Sequence, residues 1–239
     1  MENATYIGLS RLTVLRRQLD VVANNVANAN TGGFKHQMLL VNEVPEKTRP
    51  GEKIAMVQDF ATLRDLRDGP MQKTENPLDL ALQGNGYFAV ETDAGTRYTR
   101  SGKFQLDAEG TLLDGNGLPV LDDRDQRITI PAAAGEIRVA GDGSIATELG
   151  PVARLKLVEF ERPQFMKSLG GGLYETAEEA QPAAGTRVAQ FMLEGSNVNS
   201  ITEITSMIDI SRQYQSVQKV LENEHDRQRN AVSRLARLA

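Results

Sequence analysis

Cysteine and tryptophan are missing from this chain of 239 residues, aromatic residues make up only 5% of it, and His36 and His225 are its only histidines. Without cysteine there is no disulfide framework, no thiol nucleophile and no cysteine metal site. The same absence fits either a reducing cytosol or an exported protein that avoids disulfides. His36 follows a turn and His225 falls in a polar gap of a helical face, and neither has nucleophile or metal-ligand spacing. No catalytic, cofactor-binding or metal residue is therefore assigned, no cofactor is expected, and an enzyme is not expected. No run approaches the roughly 18 apolar residues of a transmembrane helix, so no membrane insertion is expected. Residues 1–20 carry Arg11, Arg16 and Arg17 inside their apolar pattern, which breaks the uninterrupted apolar region of a secretory signal. If the chain leaves the cytosol, another route is expected. Residues 1–35 carry a net charge of +2, residues 197–239 carry +1 and residues 36–196 carry −8. Neither end is basic enough for a nucleic-acid footprint, and no nucleic-acid partner is expected.

What is present is a helical stripe at each end. In LTVLRRQLDVVANNVANANTGGF (residues 12–34), Leu12, Leu15, Leu19, Val22 and Val26 step by three and four, the spacing of a coiled-coil seam. Asn24, Asn25, Asn28 and Asn30 crowd the last turns. Asn is a poor interior helix former, so these residues either turn the chain or hydrogen-bond something outside the helix. Ordering such a stretch costs about 1–2 kcal/mol per residue in backbone entropy. The stripe residues return about 1.5–3 kcal/mol each even when fully buried, so the helix is expected to need a partner. At the other end, Ser200 and Glu203 have capping-box spacing. They open a helix whose apolar face includes Ile204, Ile208, Tyr214, Val217 and Leu221.

Between the ends the period changes. Residues 35–73 read as mostly extended chain punctuated by Pro45, Pro50-Gly51 and Gly69-Pro70, with a short strand over Ile54–Phe60. From Asn76 onward short alternating runs, such as Leu78, Leu80 and Leu82, are separated by Gly84-Asn85-Gly86, Asp107–Gly110 and Asp114–Gly117. This is antiparallel β-sheet chemistry. The acidic turns do not complete an EF-hand loop, and Gly84-Asn85-Gly86 lacks the third glycine and following helix of a dinucleotide fingerprint. The expected fold is α+β: long N- and C-terminal helices packed as a coiled coil, enclosing a central antiparallel β barrel or sandwich. The expected parts are an N-terminal helix (1–35), an extended linker (36–75), a β-rich domain with a return segment (76–196) and a C-terminal helix (197–239).

These residues together resemble the axial proteins of the bacterial flagellum, the rod and hook family. LDVVANNVANANTGGFK (residues 19–35) is similar to that family's N-terminal rod motif, and LEGSNVN (residues 193–199) with the helix after it is similar to its C-terminal motif. NPLDLALQGNGYFAV (residues 76–90) and YTRSGKFQLDAEGTLL (residues 98–113) resemble the first β domain of rod and hook proteins. YIGLSRL (residues 6–12) and DGPMQKTENPLDLAL (residues 68–82) favour a place in the proximal rod. The resemblance implies a structural subunit of the basal-body rod that polymerises through its ends and transmits torque. Its implied partners are other copies of itself, other rod proteins and the flagellar type III export apparatus. It also implies an assembly interface at Leu12, Leu15, Leu19, Val22, Asn24, Asn25, Val26, Asn28, Phe34, Ile204, Ile208, Tyr214, Val217 and Leu221. The alternatives are a distal rod or hook subunit, or a soluble coiled-coil adaptor with stable helices in the monomer.

Overall fold

A computed structural model describes residues 2–49, 52–131 and 133–238. It divides into two compact units: Met1–Ala27 with Gln37–Arg64 and Asn199–Ala239, and Asn28–His36 with Asp65–Val198.

The first unit contains helix α1 (Glu2–Ala27), strands β1 (Gln37–Arg49) and β2 (Glu52–Arg64), and helix α2 (Ser200–Leu238). The two helices run antiparallel. Near one end Gly8 lies so close to Leu221 that a Cβ at position 8 would meet Leu221 Cδ2 at 2.6 Å. Near the other, Asn25 Nδ2 donates to Glu203 Oε2 at 2.9 Å. The missing side chain at Gly8 thus leaves room for Leu221 of the second helix. α2 begins at Asn199, whose Oδ1 accepts from the amides of Ile201 and Thr202 at 3.1 and 3.2 Å. Asn199 O accepts the first helical bond, from Glu203 N. This is N-cap geometry, one residue before the Ser200 of the expected capping box. Glu203 is turned to Asn25 instead.

β1 and β2 pair antiparallel from Gln37↔Arg64 to Arg49↔Glu52, with register shifts at Leu40/Val41 and Lys47/Arg49. The hairpin occupies the stretch expected to be extended chain, and its arms flank Pro50-Gly51, which lie outside the described residues. Its open end packs on α1: Gln37, Leu39, Ala61 and Thr62 face Arg17, Asp20, Val21 and Asn24 across a cleft of about 350 Å³.

The expected coiled coil is corrected by this arrangement. α1 is covered by α2 and also by the hairpin, so its burial does not follow a single seam of spacing three and four. Val14, off the stripe, is 1% exposed beside Leu15 at 0%, whereas Leu12, Leu19, Val22 and Val26 are only partly buried.

The second unit is built from short antiparallel strands in several small sheets. Its six-stranded sheet has the spatial order Lys167–Gly170, Leu173–Glu175, Gly95–Thr99, Tyr87–Thr92, Leu157–Glu159, Gln181–Pro182. A three-stranded sheet joins Gly150–Arg154, Ser144–Thr147 and Arg138–Val139. Two-stranded ladders pair Leu80–Gln83 with Arg187–Gln190, Met71–Lys73 with Met192–Glu194, and Gln105–Leu106 with Leu112–Leu113. The expected barrel or sandwich is therefore corrected as well, while the α+β class stands. A barrel needs one ladder carried around with a fixed stagger. Here the turns recur too often: Asp107, Asp114 and Asp122 each accept, through Oδ1, the amides two and four residues ahead. Strands between such turns hold only a few ladder residues. These Asx turns also account for most of the acidic loops without a cation, and among the described residues no cluster of three or more metal-binding side chains is present.

Tyr87–Thr92 divides the apolar interior. Phe88 and Val90 enter the main cluster with Leu80, Leu82, Phe104, Leu112, Ile128 and Ile130. Tyr87 belongs to a second cluster with Val158, Phe160, Met166 and Tyr174. Ring contacts hold both: Phe88 meets Phe104 edge-on at 4.9 Å and Tyr87 meets Tyr174 at 5.9 Å.

Candidate assembly site

The residues expected at an assembly interface do not form one site. Ten of them lie on the two helices outside the turn asparagines: Leu15 is buried, Leu12, Leu19, Val22, Val26, Tyr214, Val217 and Leu221 are partly buried, and Ile204 and Ile208 are 47% and 48% exposed. Asn24 is exposed, while Asn25 is 0% exposed. Asn28 and Phe34, both partly buried, belong to the second unit. Asn28 ends the helix by accepting from Thr31, backbone to backbone and side chain to side chain, at 3.1 Å each.

Asn25 has a specific task. Its Oδ1 accepts from Gln37 N at 3.0 Å, and its Nδ2 donates to Gln37 O at 2.9 Å and to Glu203 Oε2. The side chain acts as a one-residue strand partner at the start of β1 and joins α1, β1 and α2. A buried amide without such partners would cost about 1–3 kcal/mol.

Within the second unit, three short segments far apart in sequence, residues 33–36, 65–70 and 193–197, are stitched side by side. Gly33 N donates to Glu194 O at 2.9 Å, Asn197 N to Phe34 O at 3.3 Å and Gly195 N to Pro70 O at 2.9 Å. Asn197 uses its whole amide: Oδ1 accepts from His36 N at 2.6 Å, and Nδ2 donates to the carbonyls of Asp65 and Arg67 at 2.9 Å each. Gly33 has φ of +69°, and a Cβ there would stand 2.8 Å from the carbonyl carbon of Arg100. Glycine is required on both counts.

Under this seam lies a buried ion cluster. The Glu194 side chain, 1% exposed, accepts from Lys35 Nζ at 2.6 Å and from Arg100 Nε at 2.6 Å. It also accepts from Gly69 N at 3.1 Å. Arg100, 3% exposed at its side chain, donates through Nη2 to Asp68 Oδ1 at 2.9 Å and to Leu82 O at 3.1 Å, and through Nη1 to Gly86 O. Lys35 Nζ donates further to Arg67 O at 2.9 Å. Two cations face two carboxylates with nearly every donor used, the condition under which buried charge is tolerated. Beside it Asp65 accepts from the Arg67 guanidinium and amide. That side-chain bond, foremost, holds its carboxyl down at about 2 from an ordinary 3.8.

The comparisons with known proteins fall on these same stretches. Residues 6–35 match the family described as flagella basal body rod protein, residues 81–147 the flagellar hook protein FlgE/F/G D1 domain, and residues 189–234 the flagellar basal body rod FlgEFG protein C-terminal. The flagellar basal-body rod protein FlgF of Caulobacter vibrioides is 42% identical over 244 residues, covering 100% of both chains. The chain belongs to the flagellar basal-body rod protein family. FlgF of Escherichia coli is 32% identical over 95% of both chains, and FlgG of Bacillus subtilis is 32% identical over 92% of this chain and 94% of that one. As a rod-family member the chain is a structural subunit of the flagellar basal body, in a family that is not enzymatic. The N-terminal rod match ends on Lys35, and the C-terminal match contains Glu194, Asn197 and Glu203. Residues that close the two units thus lie within the matched ends. Lys35, Asp68, Arg100, Glu194, Asn197 and Glu203 were not among the expected site residues. The available signal was that Lys35, Glu194 and Asn197 stand inside the two end motifs.

Proposed function

We propose that this chain is a proximal rod subunit that polymerises through its terminal helices and transmits torque along the shaft. The observation that carries this reading is the uncovered apolar row on α2. Ile201 is 79% exposed, Ile204 47% and Ile208 48%, in one row at spacings of three and four, and on α1 Tyr6 and Leu9 are 58% and 56% exposed. Burying such side chains against another copy is worth about 1.5–3 kcal/mol each, and repeated contacts that do not close into a ring build a helical shaft. The proposed contact set is Leu12, Leu15, Leu19, Val22, Asn24, Asn25, Val26, Asn28, Phe34, Ile204, Ile208, Tyr214, Val217 and Leu221, in which the buried Leu15 and Asn25 act by shaping the face from within the chain and Ile204 and Ile208 are the most accessible apolar members. Their partners are other copies of this chain and other rod proteins. Residues 1–35 and 197–239 serve as rod-forming ends, residues 36–75 link them to residues 76–196, and the β-rich part is carried along.

Weakly covered helices also suit passage through the flagellar type III export apparatus as disordered chain, without a cleavable signal peptide, and ordering where the rod crosses the periplasm. The test is the double substitution Ile204→Asp with Ile208→Asp. The expected chain keeps the β-rich unit's unfolding midpoint but is absent from purified basal bodies, and normal incorporation with normal motility overturns the reading. Localisation of the tagged chain along purified basal bodies by electron microscopy tests the proximal place. A distal location would favour the second reading, a distal rod subunit, which the likeness to FlgG of Bacillus subtilis supports.

A further inference from the structure

The buried ion cluster of the second unit has a use beyond neutralising charge. Glu194 is the buried one of the two carboxylates that Lys35 and Arg100 share, the other being Asp68, and it sits at the end of Met192–Glu194, a strand that among the described residues pairs only with Met71–Lys73. That ladder is short, with register Met192↔Lys73 to Glu194↔Met71, and would fray readily if it stood alone. The neighbouring contacts run through the same few residues: Gly33 N to Glu194 O, Gly69 N to Glu194 Oε1, Gly195 N to Pro70 O, and Asn197 to Phe34, His36, Asp65 and Arg67.

If Glu194 leaves, Lys35 at 5% exposure and Arg100 at 3% keep backbone carbonyls but, of the cluster's carboxylates, only Asp68, whose side chain is 42% exposed. Two buried cations with one partly hydrated carboxylate are not a stable intermediate, because removing one partner of a buried pair costs several kcal/mol. Either all of these contacts are made or the whole seam admits water.

We infer that residues 33–36, 65–70 and 193–197 form one cooperative latch, closed by Glu194, that seals the two end motifs onto the β-rich unit of the single chain before any second copy binds. The β-rich unit then becomes complete only when both motifs are present. Residues 28–36 are part of its fold and are not loose tails awaiting assembly.

Amide hydrogen exchange resolved by NMR on the full chain tests this, read at Gly33, His36, Gly69, Gly195 and Asn197. The expected result is a common opening free energy for these amides, and in Glu194→Gln a common increase in their exchange rates of about 100-fold. The amides of Ala89 and Leu121, in the core of the same unit, are expected to stay protected and slower than the latch amides in the variant as in the native chain. In Lys35→Met the same amides speed up together, and in the double substitution Lys35→Met with Glu194→Gln the increase is smaller than the product of the single effects. Independent rates in the native chain, a Glu194→Gln effect confined to Gly69, or multiplicative single effects in the double variant would overturn the latch. A further failure mode is readable: if Glu194→Gln unfolds the unit outright, Ala89 and Leu121 lose protection too, and the latch is then inseparable from the core and the inference is wrong.

Discussion

The two units of this chain hold themselves together differently, and the difference exceeds what their lengths would give. Among the described residues the second unit buries twenty-two hydrophobic side chains below about a tenth of their surface, and the first unit buries two, Val14 and Leu15. The first unit relies on Asn25, a close approach at Gly8 and the partial cover given by its own hairpin. The second has two apolar clusters and a charge cluster sealed under its end motifs. Stability follows apolar burial, so the β-rich unit is the part that stands on its own. The helical unit is the part whose order a neighbouring subunit can complete.

The comparison can be broken most forcefully at Arg100. Arg100→Met strands Glu194 with one cation, and unfolding of the second unit followed by circular dichroism in urea should lose about 3–5 kcal/mol. A loss below about 1 kcal/mol would mean that the cluster is not a buried network at all. Gly33→Ala follows, since φ of +69° and the approach to Arg100 are both refused to a Cβ. About 2–3 kcal/mol is expected from the same unit.

In the first unit, Asn25→Ala removes a buried side chain with three bonds and should cost that unit about 1–3 kcal/mol. Asn24→Ala, one residue away but exposed, should stay within about 0.5 kcal/mol. Equal effects would show that the asparagines act by helix propensity and not by position.

Much of the second unit was readable in advance, and for a physical reason. Period-two runs and Asx turns are local, so the alternation of Leu78, Leu80 and Leu82 and the turns at Asp107 and Asp114 can be read without knowing what packs on them. The assembly of those strands into several small sheets was not readable, because register between distant strands is set by packing. The β1–β2 hairpin was half legible: the strand expected over Ile54–Phe60 lies inside β2, while Pro45 and mixed charges hid its partner; Pro45 in fact stands opposite Ala55 in a two-stranded ladder that tolerates a missing donor at its edge. The ion cluster was the least legible. Lys35, Asp68, Arg100 and Glu194 each look like a surface charge in sequence, and only the chain path brings them together. The expected coiled coil failed because a three–four stripe reports an apolar face, and that face is shared here between a helix and a hairpin.

Acid sharpens the comparison more gently. Asp65, held at about 2 by Arg67, has its folded value lowered from 3.8. Its contribution is therefore present above about pH 4 and lost as pH falls through about 2. Asp65→Asn should flatten the acid limb of the second unit's stability between those values. The effect is expected to be small, because Arg67 is 87% exposed and its pairing is screened by solvent. An unchanged limb would assign the acid sensitivity of this unit to other carboxylates.

The most direct test of the contrast is hydrogen exchange measured on the free chain and again on the chain within purified rods. Residues 28–36 and 192–197 should be protected to the same degree in both, while protection across Ile201–Leu221 should be low in the free chain and rise by orders of magnitude on assembly. Helices already as slow as Phe88 and Val90 in the free chain, or end motifs that gain protection only in the rod, would contradict the account.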